Sequence, residues 1–234
     1  MSSGAGPASD AGISGGPAPR ALRYLTPAEA RFLDAACARL IPADDLGPGA
    51  LEADVTRFID RQLAGPYGAH ARCYRHGPWA EGTPEQGWQS PLSPAQMYRA
   101  AIADLDAHCV ARHRAPFALL AAQAQDTLLQ ALERDAVALP TVRAETFFAL
   151  LWKNVQEGFF ADPIHGGNRD KAGWRLIGFP GVAAADYPAA MQRLEMPYAV
   201  APVSIDDIER GRVAVDAQGY PVRGRSNGAS DRRD

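Results

Sequence analysis

The chain has 234 residues and a mass of 25.0 kDa, enough for one substantial core, and nothing in its length forces a second domain. A net charge of -3 and a pI near 6.0 give no electrostatic case for a nucleic-acid partner. No stretch approaches the roughly 18 continuous apolar residues that a membrane-crossing helix needs.

Met1 to Arg20 is Gly, Ser, Ala and Pro with almost no large side chain. Such a stretch buries too little apolar surface to offset its ordering entropy, so residues 1–22 are expected to form a disordered leader. It also lacks the basic start and continuous apolar run of a secretory signal. Ordered sequence opens at Thr26, a helix cap followed by Pro27 at the first helical position and Glu29 to complete a capping box. Phe32, Leu33, Ala36, Cys37 and Leu40 then share one face until Pro42 ends the run. A second helix is expected from about Leu51 to Leu63, with Val55, Phe58, Ile59 and Leu63 inward and Gly65-Pro66 beyond its end. From Tyr67 to Leu92 neither helical nor strand periodicity holds, yet Tyr67, Tyr74, Trp79 and Trp88 argue against disorder. That connection either wraps a partner's surface or covers the domain's own core.

Ser93-Pro94-Ala95-Gln96 repeats the capping logic and starts a third helix with the stripe Met97, Tyr98, Ala101, Ile102, Leu105 and Cys109. Met97 and His108 suit a heme by residue type, but a stripe at this spacing reads as core. Phe117, Leu119 and Leu120 lead into a fourth helix over about Ala124 to Asp135, carrying Leu128, Leu129 and Leu132. A fifth, about Arg143 to Glu157, turns Phe147, Leu151, Trp152 and Val155 inward and is expected to stop at Gly158. Beyond Pro188 the chain reads as an extended arm anchored over Tyr198 to Ile208, with 211–234 loosely ordered. The expected fold is therefore all-α: a single irregular domain of about five helices over residues 23–210, with long ordered aromatic and Gly-rich loops.

The densest information lies after the fifth helix. Phe159-Phe160-Ala161-Asp162-Pro163-Ile164-His165-Gly166-Gly167-Asn168 is followed by Gly173-Trp174-Arg175-Leu176-Ile177-Gly178-Phe179-Pro180-Gly181. So much Gly and Pro predicts neither helix nor central strand, while Trp and Phe predict an ordered loop packed against something. Gly167 is expected to need close approach or a positive φ. Exposed Phe160, Trp174 and Phe179 would form an apolar patch suited to a partner.

This segment resembles the small (gamma) subunit of bacterial membrane-bound gluconate 2-dehydrogenase, the subunit 3 family. Its relatives include the small subunits of FAD-dependent fructose, sorbitol and glucose dehydrogenases. The likeness rests on Gly158, Phe160, Asp162, Pro163, Gly166, Gly167 and Asn168, then Gly173-Trp174, then Gly178-Phe179-Pro180-Gly181, with a looser match back to Leu25-Thr26-Pro27. The resemblance implies a non-catalytic subunit beside a large FAD-containing flavoprotein of the glucose-methanol-choline oxidoreductase type. It commonly implies also a multi-heme cytochrome c that passes electrons to the membrane quinone pool. It places such complexes in the periplasm, at the outer face of the inner membrane. Many family members carry a twin-arginine signal that Met1 to Arg20 does not show. The small subunit would stabilise the large one and assist its assembly and export.

The chemistry in the chain itself is sparse. C-x-x-C-H, G-x-G-x-x-G after a strand, G-x-S-x-G, H-E-x-x-H and the phosphate-cradling G-x-x-x-x-G-K-[ST] are all missing, so no cofactor is expected in this chain. FAD and heme c are expected in the partners. Asp162 with His165, and His70 and His76 with Cys73, are metal ligands by residue type, but neither group has a spacing that supplies three or four of them. An alternative reading makes the chain an enzyme with a site on the Asp162–Asn168 loop and His165 as general base. Cys37 is expected as a buried thiol. In an oxidising compartment Cys73 and Cys109 are the candidate disulfide, which would stabilise the fold by about 3 to 4 kcal/mol; in a reducing one all three thiols stay reduced.

Overall fold

A computed structural model describes residues 21–71, 76–79, 83, 90–182, 200–217 and 221–222. The described residues form seven α-helices: α1 (Pro27–Leu40), α2 (Val55–Leu63), α3 (Pro94–His113), α4 (Ala122–Glu133), α5 (Ala144–Phe160), α6 (Ala172–Ile177) and α7 (Ile205–Glu209). They hold no β-strand, only isolated bridges such as Gly181 to Val203. The fold is all-α, and none of these helices is long and apolar enough to cross a membrane. Residues 1–20 of the expected leader, half of the Tyr67–Leu92 connection with Cys73, Tyr74 and Trp88, residues 183–199 including the first part of the expected arm, and the end of the chain lie outside the described residues.

The two capping boxes form as read. The Glu29 amide donates to Thr26 Oγ1 (3.2 Å) and the Thr26 amide to Glu29 Oε2 (2.7 Å); Ser93 and Gln96 repeat the exchange at the start of α3. These pairs satisfy N–H groups that the helix itself leaves open. The core then assembles around α5, which packs on α2, α3, α4 and α6. Phe32 of α1 meets Phe117 with ring centroids 4.6 Å apart, and Tyr98 of α3 stands edge-on to Phe147 of α5 at 5.5 Å.

The fourth helix lies about two residues earlier than expected, at Ala122–Glu133, and two further boundaries differ for reasons visible in the structure. The second helix begins at Val55 and not at Leu51, because Asp54 adopts left-handed backbone (φ 58°) and residues 50–54 form a turn closed by the Val55 amide on the Ala50 carbonyl. The fifth helix does not stop at Gly158 but runs through it to Phe160. A Cβ at Gly158 would come within 2.9 Å of Phe58 Cδ1 and 3.0 Å of Val55 Cγ1. The glycine is there so that α5 can approach α2, and a helix tolerates it at about 1 kcal/mol because that packing compensates.

Two buried polar groups tie helices together. Asp60, on α2 and only 1% exposed, accepts the Arg23 amide at Oδ2 (2.8 Å) and the Tyr24 and Leu25 amides at Oδ1 (2.9 Å each). That carboxylate fastens the entering chain to α2 just before α1 begins. Asn154, on α5, accepts the Tyr98 hydroxyl at Oδ1 (2.9 Å) and donates from Nδ2 to Tyr67 Oη (3.0 Å) and to Glu157 Oε2 (3.0 Å). Replacing Asp60 by Ala leaves three backbone donors without their acceptor, of which the Leu25 amide is buried. The expected loss is about 2 to 4 kcal/mol, read as a lower urea midpoint with an unchanged slope. Asp60→Asn, which keeps one oxygen, is expected to lose less.

Candidate functional site: the glycine-rich segment after α5

The segment from Phe159 to Gly181 folds back on its own chain. At its start Asp162 caps a short 3-10 turn, Pro163–His165, by accepting the Ile164 amide at Oδ1 (3.0 Å). Its other oxygen accepts the Ile205 amide (2.8 Å), so one carboxylate also secures the first residue of α7. Gly166 closes the turn in left-handed backbone, with the side chain of Arg61 lying across it and donating from Nη1 to the Ile164 carbonyl (3.1 Å). Gly167 follows, buried, and a Cβ there would overlap the Gly158 carbonyl oxygen and sit 3.0 Å from Phe58 Cβ. Close approach, and not a positive φ, is what demands glycine at 167.

Asn168 is fully buried and left-handed (φ 47°, ψ 43°). Its Nδ2 donates to the Ala161 carbonyl (2.8 Å) and its Oδ1 accepts the Gly173 amide (2.9 Å), so one side chain closes the turn behind it and positions the start of α6. Asn is among the few residues other than Gly that enter this backbone region readily. Residues 172–177 then form a helix where the sequence reading expected loop. Its Trp174 is buried, 5% exposed, and donates from Nε1 to the Phe160 carbonyl (2.6 Å). The expected exposed trio of Phe160, Trp174 and Phe179 is therefore corrected: Trp174 belongs to the interior, because its indole N–H finds a carbonyl there. Gly178 caps α6 in left-handed backbone, Phe179 stands edge-on to Trp174 at 5.2 Å, and Pro180 is buried. The carbonyl of Pro180 accepts the Val203 amide (3.1 Å), and Gly181 completes a bridge to Val203.

Alongside the exposed His165, Arg169, Asp170 and Arg175, the segment turns large apolar side chains outward. Phe160, Leu176, Ile177 and Phe179 are 39%, 47%, 59% and 42% exposed, and Leu46 across a cleft from Leu176 is 78% exposed. The cleft has a volume of about 280 Å³ and is lined also by Pro48, Glu52, Arg169, Asp170 and Arg175. Arg169 is engaged by Asp54 (2.6 Å) and Glu52 by the Gly49 amide (3.0 Å).

The segment carries little reactive chemistry. Both Asp162 oxygens face backbone N–H groups, and His165 is exposed at the end of its turn. No Asp–His pair of the kind that activates a general base is formed between them. Among the described residues no group of three or more His, Cys, Asp or Glu side chains is placed to hold a metal ion. Cys109 is a buried free thiol whose pKa burial, aided by Asp106, pushes up to about 11, so it carries no thiolate at neutral pH. Its expected partner Cys73 lies outside the described residues. Cys37 is buried, with the Thr56 hydroxyl 4.0 Å from its sulfur.

The segment is also tied to the C-terminal part by Lys171, whose Nζ lies 2.6 Å from Asp207 Oδ2. Burial would raise the Asp207 pKa, but the Lys171 ammonium and the Ser204 amide and hydroxyl outweigh it and hold the carboxyl at about 2. A folded pKa below the unfolded one adds stability that is present above the ordinary carboxylate range and lost as pH falls through about 2. Acid titration of unfolding is therefore expected to show wild type losing stability faster than Asp207→Asn between about pH 4 and pH 2. Parallel curves would remove the ion pair from the stabilising set.

Asn168 gives the sharpest test of the segment as scaffold. Asn168→Gly removes both side-chain bonds but keeps the backbone conformation available, whereas Asn168→Ala also strains it. The alanine variant is expected to lose about 3 kcal/mol and the glycine variant about 1 kcal/mol less, by chemical denaturation. Wild-type stability in both would mean that the segment holds its shape by other means.

The profile of the gluconate 2-dehydrogenase subunit 3 family matches residues 27–181, about two thirds of the chain. That span runs from the first residue of α1 through α6 to the Gly181 bridge, and so contains the whole glycine-rich segment. No curated protein and no solved structure matches the chain. The chain belongs to the gluconate 2-dehydrogenase subunit 3 family, which is named for one subunit of a dehydrogenase.

Proposed function

We propose that the chain is a non-catalytic small subunit of a membrane-associated, FAD-dependent dehydrogenase complex acting on a sugar, a sugar acid or a polyol. Its large partner is a flavoprotein of the glucose-methanol-choline type, and a multi-heme cytochrome c completes the complex where one is present. FAD and heme c reside in those partners. The complex works in the periplasm, at the outer face of the inner membrane, and the small subunit stabilises the flavoprotein and assists its assembly and export. The observation that carries this reading is the family match over residues 27–181. The engagement of Asp162 by two backbone amides supports a structural role for the loop over a catalytic one.

The docking face in this reading is the outward side of the signature segment: Phe160, Leu176, Ile177 and Phe179, with Leu46 beside them. Contiguous exposed apolar side chains are the usual mark of a protein partner. Gly167 is a poor probe of that face, because any side chain there collides with the chain's own Gly158 carbonyl and damages the fold first. Leu176→Asp with Ile177→Asp, both exposed, probes it more cleanly than a change at Phe179, which packs on Trp174.

The test is co-expression of the tagged chain with a flavoprotein subunit from the same genome, followed by affinity purification and a flavin absorption spectrum. Wild type is expected to bring down stoichiometric flavin, while the chain purified alone carries neither flavin nor iron. The double Asp variant is expected to lower recovered flavin roughly tenfold or more, with the melting temperature of the isolated chain within about 2 °C of wild type. Flavin bound to the isolated chain, or no association of wild type, would overturn the reading.

A further inference from the structure

Three arginines gather on and beside α2, near enough that Arg57 and Arg23 both act electrostatically on Arg61. Arg57 and Arg61 are one helical turn apart on α2, a spacing that makes them neighbours on the helix surface. Arg23 enters the chain beside α2, its backbone amide held by Asp60, and its guanidinium acts on that of Arg61. The Arg61 stem lies across Gly166, where an added Cβ would be 2.9 Å from Cδ and 3.2 Å from Nε, and Nη1 donates to the Ile164 carbonyl. Arg23 and Arg57 are exposed. None of the three forms an ion pair within the described residues.

The acids beside them are engaged elsewhere. Asp60 is committed to three backbone amides and Asp54 to Arg169 at 2.6 Å. Burial, then the Arg57 and Arg23 guanidiniums, pull the Arg61 pKa below its ordinary value, with Asp54 and Asp60 pushing partly back. Like charges held this close repel, and an opposing charge supplied from outside relieves the repulsion.

We infer that the Arg23, Arg57 and Arg61 face of α2 binds an acidic surface of the flavoprotein subunit and steers its association. The inference rests on the accessory-subunit reading and adds to it a second, electrostatic contact apart from the apolar face of α6. Guanidinium suits such a contact, since it stays charged at any physiological pH and matches a carboxylate with two parallel N–H donors. Exposed charges at the rim of an interface act mainly on the association rate and its salt dependence.

The experiment measures association of the purified chain with the flavoprotein subunit by stopped flow or surface resonance, across a range of NaCl concentrations. Arg61 is left in place because it holds the Ile164 carbonyl, and Arg23 and Arg57 are changed together. The wild-type association rate is expected to fall steeply with salt. Arg23→Glu/Arg57→Glu is expected to lower the low-salt rate roughly tenfold or more and to flatten the salt dependence. Arg23→Gln/Arg57→Gln adds no new charge near Asp54 and Asp60 and is expected to move both in the same direction by less, so the comparison survives if the Glu pair impairs folding. Wild-type rates and salt dependence in both folded variants would overturn the inference while leaving the accessory-subunit reading intact. Binding of the wild-type chain to phosphatidylglycerol vesicles that both variants abolish, with flavoprotein association unchanged, would overturn it in favour of a lipid surface. Failure of wild type to associate with the flavoprotein at any salt would overturn both.

Discussion

The carbonyl of Gly158 rests against Gly167, and the space between them admits no side chain at 167. On its other side the same residue of α5 faces Phe58 and Val55 of α2. One residue near the end of α5 is thus held between a helix and the returning chain, in contacts too short for any residue larger than glycine. Interiors packed this closely do not deform continuously, so the path of the chain after α5 is fixed within narrow limits. Everything downstream follows from that path: Asn168 turns the backbone, its amide group holds Ala161 and Gly173, and α6 begins where Trp174 can reach the Phe160 carbonyl.

This arrangement separates two kinds of residue that look alike in the sequence. Gly158, Gly167, Asn168, Trp174 and Pro180 point into the protein and determine its shape. Phe160, Leu176, Ile177 and Phe179 are carried on that shape and face outward. Asp162 belongs to the first group, since both its oxygens are engaged by backbone amides. Each oxygen of that carboxylate accepts one backbone N–H, so a single side chain ties the Pro163–His165 turn to the first residue of α7.

The legible parts of the fold were those decided locally. Thr26 with Glu29 and Ser93 with Gln96 announce α1 and α3 within four residues, and the structure places both starts where the caps put them. The end of α5 was not legible, because a glycine signals a stop and a close approach equally well. The deciding neighbours, Val55 and Phe58, lie about a hundred positions away in sequence. Helix α6 was hidden by the glycines that flank it, six residues being too few for a period to emerge. Asp60 and Asn154 left no motif at all: each is a polar residue on a largely apolar buried face. Asp60 beside the inward Ile59 was the one available hint of a buried carboxylate with backbone partners. The family itself was legible because its signature combines Gly, Asn, Trp and Pro at spacings that no single amphipathic helix would reproduce.

The turn at Pro163–Gly166 lies where the two outward faces meet the scaffold. Arg61 of the cationic face donates to its Ile164 carbonyl, and Phe160 of the apolar face is three residues before it in the chain. A partner seated on either face presses on groups one or two contacts from the Gly158–Gly167 junction. Ligands that bind the folded chain and not the unfolded one stabilise it by mass action. Such coupling is reciprocal: in the accessory-subunit role proposed above, any free energy with which this chain stabilises its partner is matched by an equal stabilisation of this chain on binding.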